Sequence, residues 1–251
     1  MVNRTPKVSI ITAVYNRRET IGDAVNSLRR QDYPDWEQII IDGASTDGTL
    51  QRLESVADSR TRIVSEPDQG IYDALNKGLK RADGEIIGLL HSDDMFADSG
   101  VISRVVQCFL TQAVDGVYGD LDYVAKSDPN RIIRRWRSGE YQQKRLKRGW
   151  MPPHPTLFLR RQVIEQWGGY NTDYRIAADY EAMLRYLVQG QISLAYLPQV
   201  LVKMRLGGES NRSLERIWRK SSEDYRALQT HQVGGVGTLL LKNFSKLGQF
   251  F

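Results

Sequence analysis

Cysteine is almost missing from this chain of 251 residues. The only one, Cys108, stands among apolar neighbours. No disulfide framework can form within one chain, and a reducing compartment and a core position for Cys108 are expected. Histidine is scarce too: three scattered residues and one thiol offer no structural zinc site. No run approaches the ~20 apolar residues of a spanning helix. Met1–Lys7 lacks the apolar core of a signal peptide. A cytoplasmic location is expected, with the C-terminal tail as the segment that would hold the chain peripherally on the cytoplasmic face of a membrane. Two phosphate-binding signatures are also absent. No G-x-G-x-x-G follows the first strand pattern, where the chain reads Tyr15-Asn16-Arg17-Arg18-Glu19, and there is no G-x-x-x-x-G-K-[ST]. Gly234-Gly235-Val236-Gly237 is glycine-rich but lies away from any βαβ pattern.

What is present suits a folded α/β protein. The composition is 41% hydrophobic and 26% charged, with a formal charge of +5. Disorder is excluded, and an anionic partner is permitted without being selected. Val8–Tyr15 reads as a buried strand, followed by a helix over Glu19–Arg30 with Ile21, Ala24, Val25 and Leu28 on one face. Strands then read over Glu37–Asp42, Arg62–Glu66 and Glu85–Leu90. Helices read over Thr49–Ala57 and Gly70–Arg81. This alternation predicts a mainly parallel sheet with helices on both faces. The later pattern is less regular. It reads as helices at Asp98–Leu110, Arg161–Trp167, Ala178–Leu187 and Leu214–Thr230, and as extended chain at Asp115–Asp120, Thr156–Leu159 and Ile192–Met204.

In such sheets ligands bind beyond the carboxyl ends of the strands. Asp42 ends one strand, and Asp93-Asp94 follow another, in the stretch Gly88-Leu89-Leu90-His91-Ser92-Asp93-Asp94. Adjacent carboxylates repel, and burying them costs more still. A cation belongs there. Mg²⁺ or Mn²⁺ is held by one or two carboxylates, with substrate phosphates and water completing its shell. Such an ion turns a diphosphate into a better leaving group.

Four segments carry a resemblance: "VSIITAVYN" at 8–16, "IIIDGASTDGT" at 39–49, "NKGLKRADGEIIGLLHSDD" at 76–94 and "ADYEAMLR" at 178–185. In order and spacing they resemble family 2 glycosyltransferases of the GT-A fold, over roughly residues 6–210. The resemblance implies a mixed, mainly parallel α/β sheet flanked by helices, with residues 1–120 as the nucleotide-sugar half, 121–210 as the acceptor half and 211–251 as a helical tail. It implies an inverting, metal-dependent transfer of a sugar from a nucleotide-diphosphate donor. UDP is favoured and GDP or dTDP are the alternatives. The acceptor would be a hydroxyl of a glycan or of a polyprenyl-diphosphate-linked acceptor, in cell-surface polysaccharide synthesis. Asp42, with Thr12, Tyr15 and Asn16, would bind the nucleotide. Asp93 would contact the ribose or share the metal, and Asp94 would hold Mn²⁺ or Mg²⁺. Ser92 stands where many members have a first acid. Asp179 matches the general base, which takes the acceptor proton as its oxygen attacks the anomeric carbon. His154, in a loop between prolines, is a candidate for phosphate or acceptor contact.

Each of these has a plainer alternative. Asp93 or Asp94 caps the next helix, Asp42 forms a turn before Gly43, Asp179 favours a helix N-terminus, and His154 is structural. A nucleotidyltransferase is disfavoured, because it would open with a Gly-rich basic loop. A non-catalytic nucleotide-sugar-binding protein would not need Asp179. Residues 131–148 carry eight Lys or Arg against Glu140 alone. That segment suits anionic lipid, a lipid-linked diphosphate or simply solvent; nucleic acid is not expected, since it explains none of the acids. The tail Leu239–Phe251 mixes apolar residues with lysines, as an interfacial segment or a docked helix would.

Overall fold

A computed structural model describes residues 5–206 and 214–244. The first strand, β1 (Val8–Val14), is buried along its whole length. It therefore reads as an unbroken run of apolar and small residues, the pattern of a parallel strand covered on both faces. It pairs in parallel with β2 (Trp36–Asp42) on one side and β4 (Ile86–Leu89) on the other, and β2 pairs in parallel with β3 (Thr61–Ser65). The crossovers are α1 (Ile21–Arg29), α2 (Thr49–Val56) and α3 (Ile71–Leu79). Alternation along β1 decides which helix each residue meets. Ile10 and Val14 join Ile21, Val25 and Leu28 in one core, whereas Ile11 and Ala13 join Ala74 and Leu75 in another.

The second half extends the same sheet. After the short β5 (Met95–Phe96) and α4 (Val101–Thr111) comes β6 (Gly116–Val124), then β7 (Ile132–Trp136), a short helix α5 (Gln143–Leu146), β8 (Phe158–Arg160), α6 (Arg161–Trp167) and α7 (Ala178–Leu184). One π-helical turn, Arg185–Gln189, prolongs α7. The chain ends in β9 (Leu194–Arg205), α8 (Leu214–Thr230) and α9 (Val236–Phe244). The strand order is β3-β2-β1-β4-β8-β6-β9-β5, with β7 paired to β6. β8 is antiparallel to both β4 and β6, and β6 is parallel to β9. β4, β6 and β9 therefore run the same way. Their carboxyl ends, with those of β1 and β2, share one edge of the sheet.

The expected elements are present with ends shifted by a few residues. β5 and β7 go beyond the expectation, and β6 continues past Asp120 through Leu121 and Val124, both fully buried. Pro198, which has no N–H to donate, falls where the pairing of β9 with β6 skips from Leu197 to Val200. Residues 245–251, the last part of the expected tail, lie outside the described residues.

Candidate active site at the carboxyl edge of the sheet

Asp42, the last residue of β2, is fully buried. Its Oδ2 accepts from the Ser65 hydroxyl at 2.7 Å and from the Ser45 amide at 3.1 Å, while its Oδ1 has no partner among the described residues. A buried carboxylate oxygen without a donor is costly and marks a place for one. Tyr15, 59% exposed, stands beside this acid just past β1. The residue between them is Gly43, where a Cβ would run into the Asp68 carboxylate and crowd the Tyr15 ring. Asp42, Tyr15 and Asp68 thus gather around Gly43, with one orphan acceptor and one exposed aromatic residue among them.

Asn16 has a different part from the expected contact alone. It adopts the left-handed conformation at φ 51°, which Asn tolerates better than most residues. Its amide donates to Ser45 Oγ at 2.8 Å, and its side-chain oxygen accepts from the Thr46 amide at 2.9 Å. It therefore clamps the loop after β1 to the loop after β2. Thr12 is fully buried two residues before the end of β1, and its hydroxyl accepts from Gln38 Nε2 at 3.1 Å.

Asp94 is 1% exposed. Its Oδ1 accepts the backbone N–H of Arg205 at 3.3 Å and its Oδ2 has no partner among the described residues. Burial pushes its carboxyl well above the usual range and neighbouring Asp93 adds to this, while Arg205 acts against it. Asp93 faces a cavity of about 370 Å³ lined also by Asn16, Arg17, Lys126 and Arg205. Arg205 is 7% exposed and pairs with Asp23 through Nη2, but its Nε and Nη1 have no partner among the described residues. The edge thus sets an orphan carboxylate oxygen beside a buried guanidinium with two undelivered N–H groups. That donor set fits a divalent cation together with the phosphates it carries. Among the described residues no group of three or more His, Cys, Asp or Glu could hold a metal by itself, so Asp94, aided by Asp93, would hold the ion with phosphate and water supplying the other ligands.

Asp179, in the first turn of α7, closes the site from the second half of the chain. The Tyr72 hydroxyl reaches its Oδ1 at 3.2 Å and the Ile176 carbonyl at 2.7 Å. Burial, then the Asp179 charge, raises the Tyr72 pKa well above its usual value, so the hydroxyl keeps its proton. His91 stands between the two groups of acids. Burial lowers its pKa, although the charges of Asp93 and Asp179 both act to raise it. His154 lies behind, its ring 6.1 Å from that of His91 and its Nε2 2.8 Å from the Tyr170 hydroxyl. Burial lowers its pKa to about 4, so the imidazole is neutral. Asp179, His154 and Tyr170 border a cavity of about 20 Å³, room for one water.

From α8, Glu223 accepts three consecutive backbone N–H groups: Arg175 at 3.1 Å, Ile176 at 2.8 Å and Ala177 at 2.9 Å. Those amides lead into α7 and would otherwise be unpaired at its N-terminus. Asp68, Tyr72, His91, Arg205 and Glu223 all went unread as site residues in the sequence. Only His91 carried a signal, through its place between the end of the fourth strand and the two acids.

Residues 9–168 match the profile of the family described as glycosyl transferase family 2. The PGL/p-HBAD biosynthesis glycosyltransferase of Mycobacterium bovis BCG is 30% identical over 225 residues, covering 86% of this chain and 83% of that protein. The glycosyltransferase Rv1514c of Mycobacterium tuberculosis, itself described as uncharacterized, is 31% identical over 188 residues, covering 72% and 68%. Among solved structures, S. aureus TarS 1-349 in complex with UDP-GlcNAc superposes with a TM-score of 0.71 at 19% identity, over 90% of this chain and 66% of that one. The chain spans only 39% of the longer TarS chain. The mannosyltransferase PcManGT of Pyrobaculum calidifontis, in complex with GDP-Man and Mn2+, superposes at 0.68 with 20% identity, over 98% and 72%. At these identities the two structures share a fold with this chain, the GT-A arrangement of a mixed sheet flanked by helices.

Proposed function

The chain belongs to glycosyl transferase family 2 and is a glycosyltransferase, and we propose that it moves a sugar from a nucleoside-diphosphate donor to an acceptor hydroxyl with inversion at the anomeric carbon. One observation carries this reading. Two buried carboxylate oxygens without partners, Asp42 Oδ1 and Asp94 Oδ2, lie at the same edge of the sheet as Asp179. Asp42 Oδ1 suits the ring N–H of a base, with Tyr15 beside it as a stacking face. Uracil, guanine and thymine all have that N–H. A UDP-sugar is the first candidate, and GDP- and dTDP-sugars are the alternatives.

Residues 1–120 form the donor half of this reading and residues 121–210 the acceptor half, with Arg205 reaching back to the diphosphate. A divalent ion on Asp94, Mn²⁺ or Mg²⁺, would neutralise charge on the departing diphosphate. Asp179 takes the proton of the acceptor hydroxyl. That oxygen forms the new bond to the anomeric carbon as the old carbon–oxygen bond breaks, and the electron pair leaves with the nucleoside diphosphate. His154, held neutral by burial, borders the same cavity as Asp179 without competing for that proton. The acceptor we infer is a glycan or a polyprenyl-diphosphate-linked glycan of the cell surface. The name of the mycobacterial relative, which places it in PGL/p-HBAD biosynthesis, supports a biosynthetic role of this kind.

The test is calorimetric titration with UDP, GDP and dTDP, each with and without Mn²⁺, on the wild type and on Asp94→Ala. Binding of one nucleotide that needs both the ion and Asp94 is expected, and it names the donor class. Absence of binding by all three under every condition would refute the donor site.

A further inference from the structure

The helix α9 is turned inside out with respect to charge. Its one cation, Lys242, is 3% exposed, while Val236, Leu240 and Leu241 are 60%, 51% and 50% exposed. The lysine is fixed inward by contacts that use its charge. Its ammonium lies 2.8 Å from Asp224 Oδ1, with Lys220 2.9 Å from the other oxygen, and sits over the Tyr180 ring at 3.1 Å. Burial opposes an ionised Asp224, but the two lysines outweigh it and hold that carboxyl below its usual range. The inner face is completed by Thr238, whose hydroxyl donates to the Lys147 carbonyl at 2.9 Å. Gly149 packs so closely on Lys242 that a Cβ there would meet its backbone. An inner face this well fixed leaves Val236, Leu240 and Leu241 on the outer one, with Asn243 the exposed polar side chain.

Those same contacts bring the basic segment alongside. The segment touches α9 at the Lys147 carbonyl and at Gly149, and in it Lys144, Lys147 and Arg148 are all exposed. The sequence separates these parts by about ninety residues, as the Lys147–Thr238 bond shows with a spacing of 91. Half-exposed leucines bordered by lysine and arginine form the arrangement by which an interfacial helix enters a bilayer whose headgroups are anionic. A second copy of this face would bring cation against cation across a two-fold axis, which disfavours self-association.

We propose that the outer face of α9 with Lys144, Lys147 and Arg148 is a docking surface for an anionic lipid bilayer. It is an attachment by apolar insertion and headgroup attraction, not a span: no helix among the described residues is long and apolar enough to cross a membrane. The inference needs neither donor nor metal, so it stands or falls apart from the transfer reaction.

The experiment is flotation of the full chain with vesicles of equal parts phosphatidylcholine and phosphatidylglycerol, and with vesicles of phosphatidylcholine alone. The two variants are Lys147→Glu/Arg148→Glu and Leu240→Ser/Leu241→Ser. All four side chains project from the surface, and the Thr238 bond uses the backbone of residue 147, so both variants should melt like the wild type. The wild type is expected on the anionic vesicles and not on the neutral ones. The charge variant should lower the partition coefficient at least about thirty-fold, the loss of two cations at a charged surface, since the two carboxylates put in their place add repulsion. The leucine variant should lower it at least about tenfold. Failure of the wild type to float with anionic vesicles overturns the proposal, as does equal flotation of either variant. A concentration-dependent dimer in light scattering that Leu240→Ser/Leu241→Ser abolishes would give the face to a second copy instead.

Discussion

The Tyr72 hydroxyl lies 3.2 Å from Asp179 Oδ1, joining α3 of the first half of the chain to the first turn of α7. The same oxygen lies 2.7 Å from the carbonyl of Ile176, whose amide is one of three held by Glu223. Asp179 is thus braced from the donor side by Tyr72 and from α8 by Glu223.

These braces separate two kinds of loss. Asp179→Asn keeps the shape and removes the base. We expect kcat to fall by roughly 10²–10⁴, the usual worth of general-base catalysis, with donor binding unchanged. Glu223→Ala leaves three amides without acceptors at the start of α7. It should cost about 1–2 kcal/mol in stability and lower kcat by about tenfold, with donor KM unmoved. Glu223→Gln, which keeps one acceptor oxygen, should recover part of both. The checks are steady-state kinetics and thermal melts on the three variants. If Glu223→Ala lowered stability and left kcat alone, Glu223 would be a helix cap with no bearing on Asp179.

The contrast between Asp94 and Arg205 shows what could be read from the chain. Asp42, Asp93 and Asp94 were legible because each follows an apolar run, and the topology of parallel strands sends every such end to one edge. Arg205 has the same position on β9, but β9 contains a proline and only partial burial, so its direction and neighbours could not be inferred. Its contact with Asp94 spans 111 residues. The direction of Thr12 could not be read for a related reason. In a strand buried on both faces, alternation does not reveal which side chains turn toward a ligand and which, like Thr12 with Gln38, satisfy one another inside. Glu223 was invisible because its role depends on where α8 docks, which no local pattern encodes.

His154 gives a pH signature. Its folded pKa of about 4 lies below the ordinary imidazole value of 6.5 because burial disfavours the cation. The unfolded chain therefore binds a proton that the folded chain refuses over that interval. The stability His154 permits is fully present above pH 6.5 and is lost as pH falls toward 4, by up to about 3 kcal/mol. His154→Gln cannot titrate and should flatten this part of the stability curve. Urea unfolding of both proteins between neutral pH and about pH 4 measures it. Parallel curves across that range would mean that His154 is protonated in the fold, in conflict with its burial beside Tyr170.

Arg205 should recognise phosphate and not nucleoside. Its Nη2 is engaged by Asp23, its Nε and Nη1 are buried without partners among the described residues, and the residue lines the 370 Å³ cavity. A buried guanidinium can give its Nε–H and Nη1–H groups, which point in different directions, to separate phosphate oxygens, and lysine, a single point charge, cannot replace both. Arg205→Lys should therefore weaken nucleoside-diphosphate binding about thirtyfold or more, while leaving the much weaker binding of the nucleoside unchanged. Parallel titrations with UDP and uridine, or with the corresponding pair for whichever base binds, separate the two. The backbone N–H of residue 205 still reaches Asp94 in the variant, so the ion site is preserved and the loss reports the side chain. Equal weakening of diphosphate and nucleoside would assign Arg205 to holding the end of β9 in place through Asp23. No weakening of either would remove it from the donor site.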